Sequence, residues 1–153
     1  MQGKKNGKGA YIQSGAFRYT CIDNNGNEHI VGYAFPHEFV GDLNTWINPN
    51  QPSPVTIEAI CDSEIYYIDY PAMNHFFDTN METQRIRCTL AEQLYSIIYQ
   101  RLLDFYCKNT KELYLDLVNR CPTIQNYLTL KEIASFLQVT PETISHIRKG
   151  LKE

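Results

Sequence analysis

The side chains best equipped for recognition chemistry gather near the C-terminal end. The stretch LQVTPETISHIRKGL (137–151) sets Thr140, Pro141, Glu142, Thr143, Ser145, His146, Arg148 and Lys149 along what reads as one helix. Thr140 is a favoured N-cap type, and Pro141 stands at the first helical position, where proline loses no hydrogen bond. Hydroxyls, a carboxylate, an imidazole and cations on such a helix suit the base edges and phosphates of a DNA duplex. Lys131, one helix earlier, adds a further phosphate candidate. The stretch looks like the second half of a helix-turn-helix.

No other constellation offers a reaction. The five cysteines, Cys21, Cys61, Cys88, Cys107 and Cys121, are odd in number and form no CxxC pair. That is unlike the clustered spacing of metal or iron–sulfur ligands, and it reads as buried free thiols in a reducing compartment. His29, His37, His75 and His146 supply no His-x-His pair for a metal-binding β-roll. No spacing sets a Cys or Ser beside a His and an orienting carboxylate, so catalysis is not expected. A net charge of −3 argues against a protein that coats nucleic acid by charge alone. No apolar run approaches the roughly 20 residues of a membrane span, and the basic start MQGKKNGKG is not followed by the apolar segment of a signal peptide. A cytoplasmic protein with no membrane contact is the expectation.

The elements that must carry these residues fall into an α+β order. AFRYTCID (16–23) alternates, Asn25-Gly26 is a strong hairpin signal, and HIVGYAF (29–35) is the return strand. TIEAIC (56–61) and EIYYIDY (64–70) read as a second hairpin, turning at Asp62-Ser63. Between the pairs lies a stretch rich in Pro, Asn and Gly (36–54). Pro71 opens a short helix over 72–79. A long helix follows from 81 to about 108, with Ile86, Leu90, Leu94, Ile97 and Phe105 in an apolar stripe close to a heptad seam. Its length of ~40 Å favours a two-chain seam over packing on a small β-domain. Helices over 111–120 and 129–137, and a final helix that starts at Pro141 and runs to about the end of the chain, complete it. Thr129 and Glu132 stand in capping-box spacing.

In this order the parts resemble the Crp/Fnr family of transcription regulators, and in particular the Crp-like regulators of Bacteroidetes. Three motifs carry the resemblance: the turn at Gly15, FVGDL (39–43), and TLKEIASFLQVTPETISHIRKGL (129–151). In the last, Ile133, Ala134, Leu137, Val139, Ile144 and Ile147 have the spacing of a helix-turn-helix core, with Ala134 where only a small residue fits the helix crossing. The resemblance implies an antiparallel, jelly-roll-like β-roll sensor (1–71), a helical linker and dimerisation helix (72–108), and a wingless helix-turn-helix domain (109–153). The roll is expected to be N-terminally incomplete, because only a stub precedes Gly15. The missing wing implies weaker non-specific DNA affinity.

The family's cyclic-nucleotide cassette reads Gly-Glu-Leu, then Arg-Ser. Here Gly41, Asp42 and Leu43 are followed by Pro52-Ser53. Pro52 cannot pair with a phosphate, and from Cys21 to Thr83 there is neither Lys nor Arg. Losing a buried charge-assisted contact is expensive, so cyclic AMP is not expected. The expected pocket is Phe35, Gly41, Asp42, Leu43, Trp46, Ser53 and Val55. It suits an unidentified neutral effector, or is filled in.

By resemblance, Pro141, Glu142 and His146 approach base edges, with Glu142 able to accept from a cytosine amino group. The implied partners are a second copy of the chain, pseudo-palindromic double-stranded DNA, and RNA polymerase. No cofactor or metal is expected. The competing readings are a β-roll binding dimer that has lost DNA binding, and a metal-dependent β-roll enzyme.

Overall fold

Alternating inward and outward side chains build the first half of the chain. In a computed structural model, residues 1–5, 7–48 and 50–151 are described; the charges of Lys152 and Glu153 and the loop position of Pro49 lie outside them. The strands are β1 (Lys8–Ser14), β2 (Phe17–Ile22), β3 (Glu28–Ala34), β4 (Phe39–Val40), β5 (Thr56–Ala59) and β6 (Glu64–Asp69). They form two antiparallel sheets, ordered β4–β1–β6 and β3–β2–β5. Ala10, Ile12 and Val40 from one sheet and Ala34 from the other are buried together, with Phe17, Tyr19, Ile57 and Ile65 packed on them. The two sheets therefore face each other as a roll.

The β2–β3 hairpin forms as expected, closing on Asp23 and Asn27 with Gly26 at φ 85°. The second expected hairpin does not form. β5 pairs with β2, whereas β6 pairs with β1. The chain changes sheets at 60–63, beside the point where β1 passes into β2. Ile60 N donates to Ala16 O at 3.0 Å, and Ser63 packs so closely on Gly15 (φ 94°) that a Cβ there would overlap it. A corner of this kind has no short-range signature, because the strands' partners lie far away in sequence.

The N-terminal stub is also more than a stub. Lys8–Ser14 is the central strand of its sheet, with Ala10 and Ile12 turned inward. Ahead of it, Gly3 N donates to Ser53 O and Ser53 N donates to Lys4 O, both at 2.9 Å. Glycine and lysine at 7–9 masked the strand, since neither favours extended structure.

Helix α1 (Leu43–Ile47) interrupts the expected loop. Asp42 caps it, accepting from Asn44 N at 2.9 Å. After β6 come α2 (Tyr70–Phe77), with Pro71 in its first turn, and α3 (Met81–Cys107). Asn80 and Thr83 form the capping box of α3. The remaining elements are α4 (Thr110–Arg120), a 3₁₀ turn (Ile124–Asn126), α5 (Leu130–Phe136) and α6 (Pro141–Gly150).

The larger core belongs to the C-terminal helices. Tyr114, Leu117, Cys121, Ile124, Leu128, Ile133, Ala134, Leu137 and Ile144 are buried together. Tyr33 and Phe35 from the β3 end of the roll, with Ala16, join the same cluster. Strands of the roll and the C-terminal helices thus share one core, although they read as separate domains in the sequence.

Candidate nucleic-acid interface and sensor roll

The turn 137–139 joins α5 to α6. Gln138 takes the left-handed conformation at φ 55°, and Val139 N donates back to Ala134 O at 2.9 Å. Ala134 and Ile144 are buried where the helices meet. Thr140 caps α6, its hydroxyl accepting from Thr143 N at 3.3 Å and lying 3.2 Å from Thr143 Oγ1. Both threonines are therefore occupied with capping. Pro141, Glu142, His146 and Lys149 are exposed, Ser145 is half-buried, and Lys131 on α5 is exposed. At spacings of four and three, Glu142, His146 and Lys149 share one helix face. Its own backbone N–H and the Thr140 hydroxyl hold the Glu142 carboxyl below its usual range, so it stands ionised as an acceptor.

Arg148 differs from the other expected phosphate contacts. Its Nε donates to Tyr114 Oη at 2.9 Å, and its guanidinium lies 5.8 Å from that ring's centroid. Its Nη2 is buried without a partner among the described residues. The side chain is built into the packing of α6 on α4.

Helix α3 is unlike every other helix here. From Gln84 to Leu103 every residue is exposed, including Ile86, Leu90, Leu94 and Ile97; Phe105 further along is exposed too. Tyr95, Ile98, Tyr99, Leu102, Leu103 and Tyr106 extend this apolar surface around the helix. An exposed apolar expanse of this kind has the character of an interaction surface. Cys88 and Cys107 are exposed on it and Cys21 and Cys61 are half-buried, so the reading of all five cysteines as buried thiols holds for Cys121 alone.

The seven residues expected to line one pocket are dispersed. Phe35 belongs to the core of the C-terminal helices. Gly41 lines a cavity of about 360 Å³ inside the roll, with Ala10, Phe17, Val40, Ile57, Ile65 and Tyr67. Leu43 and Trp46 line a separate groove of about 470 Å³ against α3, beside Arg87 and Leu94. Ser53 is buried, donating to Val55 O at 2.8 Å. Asp42 is buried at the cap of α1, with Oδ2 lacking a partner among the described residues. The residues part because α1 turns Leu43 and Trp46 outward, away from the strand interior that holds Gly41. The cation missing from 21–83 comes from β1, since Lys8 lines the roll cavity.

Beside Gly41, Tyr19 and Tyr70 wall in the same corner. Gly41 N donates to Tyr19 Oη at 3.1 Å, and a Cβ on Gly41 would overlap the Tyr70 hydroxyl. Burial, reinforced by the Asp42 carboxylate, pushes the Tyr70 phenol up to about 12. Among the described residues no group of three or more His, Cys, Asp or Glu could hold a metal ion. No helix among them is long and apolar enough to cross a membrane.

The family model of the cyclic nucleotide-binding domain matches residues 1–80. No curated protein sequence matches significantly. Among solved structures, FixK2 from Bradyrhizobium japonicum superposes with a TM-score of 0.74 at 17% identity, covering 99% of this chain and 79% of that one. A Crp/Fnr-family protein from Eubacterium rectale gives 0.66 at 16%, covering 97% and 70%. CLP of Xanthomonas campestris, described as a c-di-GMP-responsive global regulator, gives 0.63 at 16%, covering 99% and 80%. At such identities the likeness establishes a shared fold.

Proposed function

This chain belongs to the cyclic nucleotide-binding domain family, and we propose that it works as a dimeric, DNA-binding transcription regulator of the Crp/Fnr type that does not respond to cyclic AMP. One observation carries the DNA reading. Helix α6 buries its apolar back at Ile144 while Glu142, His146 and Lys149 lie open on one face. That is the arrangement a recognition helix needs to enter a major groove. Glu142 would accept from a cytosine amino group and His146 would donate a single bond to a base edge, while Lys149 and Lys131 meet phosphates.

Dimerisation is supported by the uncovered apolar surface of α3. A second α3 laid along Ile86, Leu90, Leu94 and Ile97 would bury it as a coiled-coil seam. Two α6 helices about one DNA turn apart, ~34 Å, would then read a pseudo-palindromic site. The proposed setting is the cytoplasm, with RNA polymerase as the partner at the promoter.

Against cyclic AMP stands Pro52 at the cassette's arginine position, where no side chain can pair with a phosphate. Asp42, in the cassette's glutamate position, is drawn into capping α1. Lys8 brings a point charge to the cavity but not a planar fork for a phosphate.

The test is substitution on a duplex selected from a randomised library. Glu142→Ala should relax base preference at one position of each half-site, and Lys149→Ala should weaken all sequences alike. Binding of random and selected duplexes with equal affinity, unchanged in either variant, would sink the DNA reading and leave a β-roll dimer without a nucleic-acid target.

A further inference from the structure

The strands that wall the roll cavity grip the C-terminal helices with their opposite face. In the β3–β2–β5 sheet, Phe17 and Ile57 turn inward and line the cavity. Their neighbours in the adjoining cross-strand row, Tyr33, Arg18 and Glu58, are paired Arg18 with Tyr33 and Arg18 with Glu58, and point outward by the alternation of strand side chains. There Arg18 Nε meets Glu58 at 2.6 Å, and its Nη1 meets Glu132 of α5 at 3.4 Å. The Tyr33 hydroxyl donates to Glu132 O at 3.3 Å, and the Tyr33 ring packs edge-on to Phe136 with centroids 5.2 Å apart.

A second grip lies at the end of α4. Arg120 donates from Nε to Glu38 Oε1 and from Nη2 to Glu38 Oε2, both at 2.6 Å, and Nη2 also reaches Tyr33 O at 2.7 Å. Its guanidinium lies 5.2 Å from the Phe35 ring centroid. Glu38 is held independently by the roll. Phe35 N donates to its Oε2 at 3.0 Å, Ile12 N donates to its carbonyl at 3.0 Å, and His37 before it sits at φ 69° in a tight turn. The carboxylate is thus a fixed anchor, presented where Arg120 arrives. Both partners are half-buried, and the contact is a planar fork, the geometry in which such pairs are strongest.

We propose that Glu38 and Arg120, backed by Arg18 and Glu132, are positioning residues that lock the α4–α6 unit onto the outer face of the roll and thereby fix where α6 stands relative to α3. Two separated attachment points, one at the end of α4 and one at the start of α5, remove the rotation that the short link 108–109 would otherwise permit. The consequence for the spacing of two α6 helices rests on the DNA reading above; the lock itself does not. Because inward and outward residues alternate on the same strands, whatever spreads Phe17 from Ile57 also shifts Arg18 and Glu58.

The experiment uses the full chain without DNA. Nitroxide-bearing unnatural amino acids replace the exposed Asn25 and Ser135, and labelled protein is diluted in unlabelled protein so that distances within one chain dominate. Pulsed dipolar spectroscopy of the parent should give one narrow Asn25–Ser135 distance. Arg120→Ala and Glu38→Gln should each replace that peak with a broad distribution, and adding Arg18→Gln should broaden it further. Glu38→Gln keeps an acceptor for Phe35 N, so it carries the test should Arg120→Ala fail to fold. A narrow peak retained in folded Glu38→Gln, even with a lowered melting temperature, would overturn the lock, since a purely structural pair costs stability without releasing the unit. A parent protein that shows the narrow distance yet binds no duplex in a separate assay would count against the recognition reading and leave the lock standing.

Discussion

Arg148 spends its guanidinium on Tyr114, with Nε 2.9 Å from the phenolic oxygen and the charge 5.8 Å from the ring centroid. A cation on a recognition helix is readily counted as a phosphate contact, yet this one stitches α6 to α4. Tyr114→Phe is expected to cost about 1–2 kcal/mol, because a half-buried charged donor loses its acceptor. Arg148→Ala should lower the melting temperature and leave the salt dependence of DNA binding nearly unchanged. Lys149→Ala should do the reverse, reducing the slope of log K against log salt by about 1. Melting curves and salt titrations of the two variants separate the roles.

The turn between α5 and α6 holds Gln138 at φ 55°. A side chain with a Cβ is strained there, whereas glycine is not. Gln138→Gly should therefore stabilise the protein by up to about 1 kcal/mol, the gain being trimmed by the extra freedom of glycine in the unfolded chain. Denaturant unfolding checks the sign. Gln138→Val should destabilise, since a β-branched side chain tolerates the left-handed region worst.

Three tyrosines report on the roll at high pH. Burial raises the phenol pKa of Tyr19, Tyr33 and Tyr70, the last to about 12. The folded state holds these protons more tightly than the unfolded chain, whose tyrosines titrate near 10. The stability they contribute is full below about pH 10 and is lost as the pH rises towards the folded pKa values. Ultraviolet titration should show the protons of Tyr19, Tyr33 and Tyr70 released late, above about pH 10, and Tyr70→Phe should remove one of them. Release of these three protons near pH 10, with the fold retained, would contradict this packing.

Much of the fold was legible because its signals are local. The Asn25-Gly26 hairpin, the caps at Thr129 and Thr140, and the period of α3 each declare themselves within a few residues. The misplaced features depend on distant partners. β5 and β6 part because β2 and β1 claim them, and β1 is hidden by Gly7, Gly9 and Lys8. The residues of the expected pocket lie apart for a related reason. Helix α1 separates Leu43 and Trp46 from Gly41, and neighbours in sequence do not reveal that a five-residue helix divides an interior from a surface. The pair Glu38–Arg120 joins residues from the two halves of the chain, and neither carries a motif. The polar face of α6 was marked by the helix-turn-helix resemblance, whereas the diversion of Arg148 required Tyr114 to be placed beside it.

Cyclic AMP at millimolar concentration should leave the melting temperature unchanged. A ligand present at about 100 times its Kd stabilises by about 2.7 kcal/mol, which for a chain of this size is a shift of several degrees. A shift of that size would return the roll to cyclic-nucleotide binding and point to Lys8, which lines its cavity, as the phosphate partner.

The most direct measurement is capture of sheared genomic DNA by the purified protein at low and physiological salt, followed by sequencing. An enriched two-fold-symmetric motif that survives the higher salt, with half-sites about one helical turn apart, is the predicted result. Captured DNA with no common motif at either salt, from protein that is folded and dimeric, would contradict the assignment of α6 as a recognition helix.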